Sequence, residues 1–459
     1  MKPESDNVME KIVSLAKRRG FIFPGSEIYG GLAGTWDYGP LGVELKNNIK
    51  QLWWKRFVQN RDDMVGIDAA IIMNPKVWEA SGHVEEFTDP LVECKKCHSR
   101  FRPDQILGVR VAESRRSLDG KRPVLIINSD AKCPVCGADG GQSFEGQDVR
   151  NFNLLFRTFI GPVEDTASQT YLRPETAQAM FVNFKNVLDT THRTLPFGIA
   201  QIGKAFRNEI TPRDFLFRSR EFEQMEIEYF IRESEWAEHF DHWLNEMRRW
   251  MKDMGIDANK IHELEVPDGE RAHYSKRTVD FEYDFPFGKK ELYGLAYRGD
   301  FDLKNHFSEP PYREEGVEPF YPHVIEPTWG VDRTVLAVML ESYHEEENEK
   351  GKRVFLKLPS WLAPYKAAVF PLVANKEQLT AKAKEVYMLL KKHMPVAWDD
   401  RGNIGKRYYS QDEIGTPFCI TVDYTTLEDE TVTVRDRDTA KQERVKAIEL
   451  VNYLLIDQL

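Results

Sequence analysis

Hydrophobic side chains recur at helical spacing in two stretches of the chain. In residues 44–59 they fall three or four positions apart, the spacing of one helix face; they are Leu45, Ile49, Leu52, Trp53 and Phe57. A second stretch, which follows Arg173-Pro174, repeats this spacing with Ala177, Met180, Phe181, Phe184 and Leu188. We predict a helix in each stretch, with its apolar face packed on a core.

Residues 198–230 show the alternation of β-strands. Successive side chains of a strand point to opposite faces, so one face of the second strand carries Phe222, Gln224, Glu226 and Glu228, and the other carries Met225, Ile227, Tyr229 and Ile231. The apolar face is predicted to meet the core. Because arginines stand before this strand, at 207, 213, 218 and 220, the hairpin suits the binding of a nucleoside triphosphate. The charge pattern alone favours a solvated hairpin with a charged face over a nucleotide site.

Weaker patterns divide the rest of the chain. Residues 66–75 read as a short apolar strand that stops at Pro75, because proline cannot donate to a continuing ladder. Residues 94–149 and 234–290 are polar or rich in turns, and we predict that both are insertions in a core of residues 1–360. Residues 361–459 alternate short strands with helix, which predicts a separate α/β domain.

Length and composition favour a soluble globular protein. The 459 residues are enough for two or three domains, and the net charge is −11 with 41% hydrophobic residues. Apolar runs fall short of the roughly 20 residues of a membrane helix, and the first residues are too charged for a secretory signal. We therefore expect a cytoplasmic protein with no membrane partner.

Local patches decide nucleic-acid binding more than total charge does. Residues 401–410 combine three basic side chains with two tyrosines and no acid, which suits contacts to phosphates and bases. An ordinary exposed loop explains this composition equally well.

Four cysteines form two C-x-x-C pairs, Cys94 with Cys97 and Cys133 with Cys136. Thiolates in such pairs suit tetrahedral zinc, and cysteines in a cytosolic protein favour metal over disulfide. We predict a structural zinc site. Cys419, in an apolar strand-like segment, is predicted to be a core residue.

Residues 44–75, 198–230 and 326–340 resemble, in order, motifs 1, 2 and 3 of the class II aminoacyl-tRNA synthetases. Longer stretches are similar to the glycyl-tRNA synthetases of the dimeric type, among them GSEIYGGLAGTWDYGPLG, RPETAQ, FRNEITPR, REFEQMEIEYF and GTPFCITVDY. This resemblance spans nearly the whole chain. It implies an α+β fold, with an antiparallel catalytic sheet flanked by helices and a C-terminal α/β anticodon-binding domain of the class IIa kind.

The resemblance also implies the reaction and its partners. Glycine and ATP would give glycyl-adenylate and pyrophosphate, and glycine would then be transferred to the 3′ end of tRNA(Gly), in a homodimer. Attack of a carboxylate on the α-phosphate builds negative charge, which guanidinium groups stabilise well. No general base is needed, because the attacking carboxylate is already ionised at neutral pH.

By this resemblance, Arg207 holds the α-phosphate, Arg218 and Arg333 hold the distal phosphates, Phe222 stacks on adenine, and Glu291 binds Mg²⁺. The implied catalytic residues are Arg207, Arg218, Glu291 and Arg333. The implied ATP-binding residues are Arg207, Asn208, Glu209, Phe217, Arg218, Ser219, Arg220, Glu221, Phe222, Glu291, Leu292, Gly330, Val331, Asp332 and Arg333.

Glycine offers no side chain to recognise. Alanine would bury one more methyl group, worth about 0.8 kcal/mol, so rejection must be steric and recognition must rest on the ammonium group. The implied glycine-binding residues are Arg102, Glu175, Phe222, Glu223, Gln224, Met225, Glu226, Arg298, Glu326, Pro327, Thr328, Trp329 and Gly330. Trp329 is bulkier than is common in the family, and we predict that it either faces the core or fills the space that would admit alanine.

Two other functions share parts of this pattern. Another class IIa synthetase, for serine, threonine, proline or histidine, would have the same ATP site, but RPETAQ and the three glutamates Glu175, Glu226 and Glu326 argue against it. A synthetase-like accessory subunit without activity would share the fold. The four implied catalytic residues together argue against loss of function.

Overall fold

The computed structural model describes residues 4–113, 123–146, 149–272, 274–348 and 351–456. Parts of the two predicted insertions, residues 114–122, 147–148 and 273, lie outside the described residues. The helices are α1 Glu4–Arg19, α2 Pro40–Trp54, α3 Pro75–Ala80, α4 His83–Glu86, α5 Gly140–Phe144, α6 Ala177–Val182, α7 Phe184–Thr191, α8 Trp236–Asp253, α9 Phe301–His306, α10 Val331–Ser342, α11 Glu377–Lys391, α12 Ile404–Glu413, α13 Tyr424–Asp429 and α14 Leu450–Ile456.

The strands are β1 Ile22–Pro24, β2 Trp36–Tyr38, β3 Met64–Gly66, β4 Thr88–Glu93, β5 Arg100–Phe101, β6 Val109–Glu113, β7 Pro123–Ile127, β8 Arg150–Asn153, β9 Arg157–Phe159, β10 Gln169–Tyr171, β11 Phe197–Phe206, β12 Glu221–Ile231, β13 Ile261–Glu265, β14 Arg277–Phe285, β15 Gly288–Gly299, β16 Tyr312–Glu314, β17 Val317–Phe320, β18 His323–Gly330, β19 Tyr343–Asn348, β20 Gly351–Leu356, β21 Ala367–Pro371, β22 Val396–Trp398, β23 Phe418–Val422, β24 Thr431–Asp436 and β25 Gln442–Lys446.

A seven-stranded sheet in the order β13-β14-β15-β18-β12-β11-β3 forms the centre of the larger part of the molecule. Every neighbouring pair is antiparallel except β3, which runs parallel to β11 at the edge. Helices α2, α8 and α10 pack in the same hydrophobic cluster as the apolar face of β12. The predicted antiparallel sheet with flanking helices is confirmed.

The first predicted helix is present, but it begins earlier than expected. It starts at Pro40, whose fixed φ suits the first turn of a helix, and continues as a π-helical turn over Lys55–Gln59. Its predicted core face is buried at Leu45, Ile49, Trp53 and Phe57. The second predicted helix divides into α6 and α7 at Asn183, whose side-chain amide donates to the Ala179 carbonyl.

The predicted strand of residues 66–75 is wrong in position. The strand found in this region, β3, pairs with β11 and already ends at Gly66. The apolar residues that follow it form one isolated bridge, from Ile72 to Leu172. Pro75 begins α3 instead of ending a strand, because the Asn74 side chain accepts the Lys76 N–H at 3.0 Å and caps that helix.

Residues 234–290, predicted to be an insertion, are continuous with the central sheet. Strands β13 and β14 complete the central sheet, and α8 places Phe240, Trp243, Met247 and Trp250 in the main core. The helical spacing of these apolar side chains explains this packing. The described part of residues 94–149 differs, since it encloses a small hydrophobic cluster that includes Cys94, Phe101 and Phe144.

A second, mixed sheet lies near the C-terminus, in the order β22-β21-β23-β24-β25. Strands β22, β21 and β23 are parallel, and the remaining pairs are antiparallel. Helices α11 and α14 contribute Leu379, Val386 and Leu450 to the hydrophobic cluster of this sheet. The predicted C-terminal α/β fold is confirmed, and Cys419 of β23 is buried as predicted.

The basic segment 401–410 is mostly helical rather than an exposed loop, because α12 begins at Ile404. Arg407 is buried and donates to four backbone carbonyls, so it is not available to a phosphate. Tyr408 packs on Phe370. Among the described helices, none is both long and apolar enough to cross a membrane.

Candidate active site

A cavity of about 420 Å³ opens on the polar face of the central sheet. The pocket wall comes from strands β12, β14, β15 and β18, from the start of α10, and from residues 266–272 and Tyr274. The residues that line it include Glu175, Arg207, Glu209, Phe217, Arg218, Ser219, Phe222, Gln224, Glu226, Tyr274, Asp280, Glu291, Glu326, Thr328, Gly330, Asp332 and Arg333. The predicted face of β12, with Phe222, Gln224 and Glu226, is thus the face that meets the cavity.

Three guanidinium groups line one end of the cavity. Arg207 donates to the Pro174 carbonyl at 3.1 Å and lies 5.2 Å from the centre of the Phe222 ring. Arg333 lies 4.5 Å from the centre of the Phe217 ring. Burial lowers the pKa of Arg218, and the neighbouring charges of Arg102 and Arg333 add to this effect. Concentrated positive charge of this kind favours a polyanionic ligand.

Two carboxyl groups face these arginines. Glu291 lies 3.1 Å from Arg333, whose charge lowers the Glu291 pKa although burial alone would raise it. Burial and the charge of Glu291 raise the pKa of Asp280 to about 7. One oxygen of each carboxyl group lies 3.8 Å from the point where a Cβ on Gly294 would stand. The pair is therefore suited to a hard cation such as Mg²⁺.

The other end of the cavity is acidic. The Glu226 carboxylate accepts hydrogen bonds from the hydroxyls of Thr176 and Thr328, the second at 2.9 Å. The Glu175 carboxylate lies 3.3 Å from His83 and accepts from the Gln178 amide at 3.1 Å.

Arg298 fixes the third glutamate of this end. It donates to Glu326 and to both oxygens of Asp302, at 2.7 Å each, and all three side chains are buried. It does not line the cavity directly but positions Glu326, which does.

Negative charge exceeds positive charge here. Burial raises the pKa of Glu326 to about 8, although Arg298 opposes this. Burial and the charge of Glu175 also raise the pKa of Glu226. His83 and Arg298 hold the pKa of Glu175 low, against the effect of its burial. A small cation such as an ammonium group would neutralise the surplus.

Trp329 faces the core, which is the first of the two predicted alternatives, and it does not line the cavity. Alternation along β18 points Glu326 and Thr328 to the cavity and Trp329 to the opposite side. Its ring is fully buried, with centroids 5.0 Å from Phe57 and 5.5 Å from Trp53.

Alternation also turns other predicted side chains away from the cavity. Glu223 directs its carboxylate to Lys46 at 2.7 Å and Lys50 at 3.0 Å, on the opposite face of β12. The buried side chains of Met225, Leu292 and Val331 belong to the main core, and Pro327 is buried beside Trp329. Glu223 and Leu292 still border the cavity, although their side chains point away from it.

The remaining predicted residues surround the site without lining it. Arg220 donates to the carbonyls of Ala33 and Glu209 and so ties two loops together. Glu221 pairs with Lys204. Arg102 pairs with Asp89 at 2.6 Å and Asp104 at 3.0 Å. The Asn208 N–H donates to Leu154.

Sequence reasoning missed several side chains of the site. Glu228 lies on the same face of β12 as Glu226, and the alternation of side chains along that strand could have identified it. Asp280 and Tyr274 belong to a segment that was predicted to be an insertion, and nothing in their own spacing distinguished them. Thr176, inside RPETAQ, could have been found through its neighbour Glu175.

Known proteins resemble the chain over nearly its full length. Residues 159–343 match the family described as tRNA synthetase class II core domain (G, H, P, S and T), and residues 366–456 match the family described as anticodon binding domain. A glycine--tRNA ligase from Alkaliphilus oremlandii is 51% identical over 466 residues, covering 98% of each chain. One from Geobacillus thermodenitrificans is 51% identical over 458 residues, covering 97% of each.

A solved structure shows the same fold at low sequence identity. The prolyl-tRNA synthetase from Cryptosporidium parvum, complexed with halofuginone and AMPPNP, superposes with a TM-score of 0.65 at 16% identity, over 97% of this chain and 74% of that one. Identity of about half over whole chains, together with both family matches, places the sequence in one family: the chain belongs to the glycine--tRNA ligases, which are class II aminoacyl-tRNA synthetases.

Proposed function

We propose that the cavity activates glycine with ATP and that the enzyme then transfers glycine to tRNA(Gly). The observation that carries this proposal is the division of one cavity into a cationic end and an acidic end. Arg207, Arg218 and Arg333 suit a triphosphate, and Glu175, Glu226 and Glu326 suit a small ammonium group.

In the proposed reaction, a carboxylate oxygen of glycine attacks the α-phosphorus of ATP. The bond from that phosphorus to the bridging oxygen breaks, and pyrophosphate leaves with the electron pair. Arg207, at the cationic end beside Phe222, stabilises the charge that builds on the α-phosphate. Phe222, on whose ring Arg207 rests, stacks on adenine, and Arg218 and Arg333 hold the leaving phosphates.

The carboxyl groups of Glu291 and Asp280 fit a magnesium ion bound to the phosphates, because Mg²⁺ prefers carboxylate and phosphate oxygens. This ion would neutralise charge on the leaving group. Glu291 is already ionised beside Arg333, as ligation requires.

Amino-acid-dependent exchange of pyrophosphate into ATP tests the proposal. We expect exchange with glycine and none with serine, threonine, proline or histidine. Exchange with one of those four in place of glycine would identify another class IIa synthetase. No exchange with any amino acid would identify an accessory protein without activity.

We further propose a structural zinc ion at the cysteine cluster. The Sγ atoms of Cys94 and Cys136 lie 3.8 Å apart, and those of Cys97 and Cys133 lie 3.7 Å apart. Tetrahedral Zn–S bonds of about 2.3 Å require sulfur separations near 3.8 Å. Elemental analysis of protein purified without chelator should give one zinc per chain, and its absence would contradict the site.

Three further assignments extend the proposal. Residues 361–459 bind the anticodon, while residues 1–360 hold the catalytic core. Two copies form a homodimer, for which light scattering should give twice the mass of the chain. The enzyme acts in the cytoplasm, where its tRNA and ATP are available.

A further inference from the structure

Glu228 is a buried carboxyl group without a role in the reaction described above. It lies two residues beyond Glu226 on the same face of β12 and is fully buried. Neither of its carboxyl oxygens has a hydrogen-bond partner within the described part of the chain. An ionised carboxylate in such a place costs several kcal/mol. A neutral carboxyl group therefore fits this position better.

Charged groups surround Glu228 from four elements. Oxygens of Glu226, on its own strand, and of Glu326, on β18, lie with one of its oxygens in a group whose members are all within 4.8 Å of one another. Arg298 of β15 and Asp302 of α9 complete the surroundings. Burial, and next the charge of Glu326, raise the pKa of Glu228 well above its usual range, although Arg298 opposes this.

Arg298 makes no hydrogen bond to Glu228; three of its N–H groups donate to Glu326 and Asp302 instead. If every carboxyl group of this end were ionised, five negative charges would face Arg298 and one ammonium group from glycine. A proton on Glu228 removes one of these charges and also gives the site one donor. Glu326 belongs to the same group of carboxyl oxygens, and the charge of a bound ammonium group would lower its pKa, so that Glu326 becomes ionised and can accept this hydrogen bond.

We propose that Glu228 is a positioning residue for glycine: in the glycine-bound enzyme it keeps its proton and donates its O–H to the carboxylate of Glu326. This inference rests on the proposed function. Arg298 then holds Glu326 from one side and Glu228 holds it from the other, which fixes the direction of its remaining lone pairs toward the ammonium group. One oxygen of Glu228 and one of Glu326 lie within 4.8 Å of each other in the structure without glycine, and the proposed hydrogen bond requires these two atoms to approach when glycine binds.

Three variants of the full-length chain test this role through glycine-dependent pyrophosphate exchange. Glu228→Leu removes the donor, Glu228→Gln keeps a neutral donor of the same shape, and Glu226→Gln neutralises a carboxylate that meets the ammonium group directly. The KM values for glycine and for ATP are measured for each variant, from about pH 6 to about pH 8.5.

We expect Glu228→Leu to raise the KM for glycine at least about tenfold, the value of one hydrogen bond to a charged group, with little change in the KM for ATP. Glu228→Gln should restore the KM for glycine, and its ratio to that of the unaltered enzyme should stay constant with pH. Glu226→Gln should raise the KM for glycine, because this substitution removes a negative charge that contacts the ammonium group of glycine.

Two results would overturn the inference. A Glu228→Leu enzyme with unaltered KM for glycine would show that Glu228 has no part in glycine binding. A Glu228→Gln enzyme as impaired as Glu228→Leu, or a ratio that changes with pH, would show that Glu228 acts as an ionised group. If Glu228→Leu does not fold, the Glu228→Gln profile decides alone. Failure of the unaltered enzyme to use glycine would instead contradict the proposed function.

Discussion

At the scale of single residues, Tyr274 is the bulky side chain at the acidic end of the cavity. Its ring centre lies 3.7 Å from the guanidinium carbon of Arg298, and the side chain lines the cavity. Trp329 cannot exclude a larger amino acid, because it is buried in the core. Tyr274 is therefore the bulky side chain best placed to reject a methyl group.

Tyr274→Ala should admit alanine. We expect the ratio of alanine- to glycine-dependent pyrophosphate exchange to rise about tenfold, within the range for one methyl group in a pocket. Trp329→Phe is the matched control and should leave the ratio unchanged. An unchanged ratio in Tyr274→Ala would assign the exclusion of alanine to another group.

Arg333→Lys should lower kcat for glycine-dependent exchange about a hundredfold. Lysine cannot reproduce the planar contact with Phe217 together with the bond to Glu291, and loss of one donor to transition-state charge has about this cost. Arg313→Lys, at an exposed position, is the control. A kcat within a few-fold of the unaltered value would remove Arg333 from the phosphate site.

The alternation of side chains along a strand decides which residues of the site could be predicted from the sequence. Alternation along a strand placed Phe222 and Glu226 correctly on the cavity face, and it could also have placed Glu223 and Trp329 away from it. Glu223 and Trp329 were assigned to the site because they lie in motifs of the family, but a sequence motif does not show which way a side chain points. Tyr274 could not be found, because its position depends on a loop that contacts Arg298 only in the folded chain.

At the scale of elements, a loop near the N-terminus supports the arginine hairpin. Gly34 has φ +76°, and a Cβ there would stand 2.5 Å from Pro212 of the hairpin. The Arg220 N–H donates to the Gly34 carbonyl at 2.7 Å. The hairpin thus takes its position from close contact with this loop.

Gly34→Ala should raise the KM for ATP about ten- to a hundredfold, because displacement of the hairpin by about 1 Å misplaces its arginines. Gly30→Ala is the matched control, since its φ of +91° carries the same backbone cost while nothing lies within 4 Å. Equal effects of the two substitutions would mean that strain in the loop matters and contact with the hairpin does not.

Helices and strands could be predicted from the sequence where many hydrophobic positions recur at regular spacing. The α2 helix and the β11–β12 pair have many regular positions, whereas β3 has three residues and is defined by its pairing with β11. Strands β13 and β14 appeared to be an insertion, because only their place in the sheet shows that they belong to the core.

At the scale of the whole molecule, a buried ion cluster joins strand β20 to the C-terminal fold. Asp412 of α12 is fully buried, 2.8 Å from Arg353 of β20 and 2.9 Å from Arg435 of β24. Arg353 lies within residues 1–360, and the other two residues belong to the C-terminal fold.

Asp412→Asn should lower the free energy of unfolding by about 3–5 kcal/mol, because two buried guanidinium groups lose their counter-charge. Glu385→Ala, which breaks an exposed pair with Lys382, should cost less than about 1 kcal/mol. Urea unfolding of both variants measures the difference. Similar midpoints for the two would show that the cluster adds nothing to stability.

The position of strand β18 in the chain affects how the central sheet assembles during synthesis. It lies between β15 and β12 in the sheet, yet it is the last of these strands along the chain. A chain leaving the ribosome therefore presents β12 and β15 with open edges until His323–Gly330 has emerged. Until then the nascent chain has no glycine pocket and is exposed to pairing with other strands.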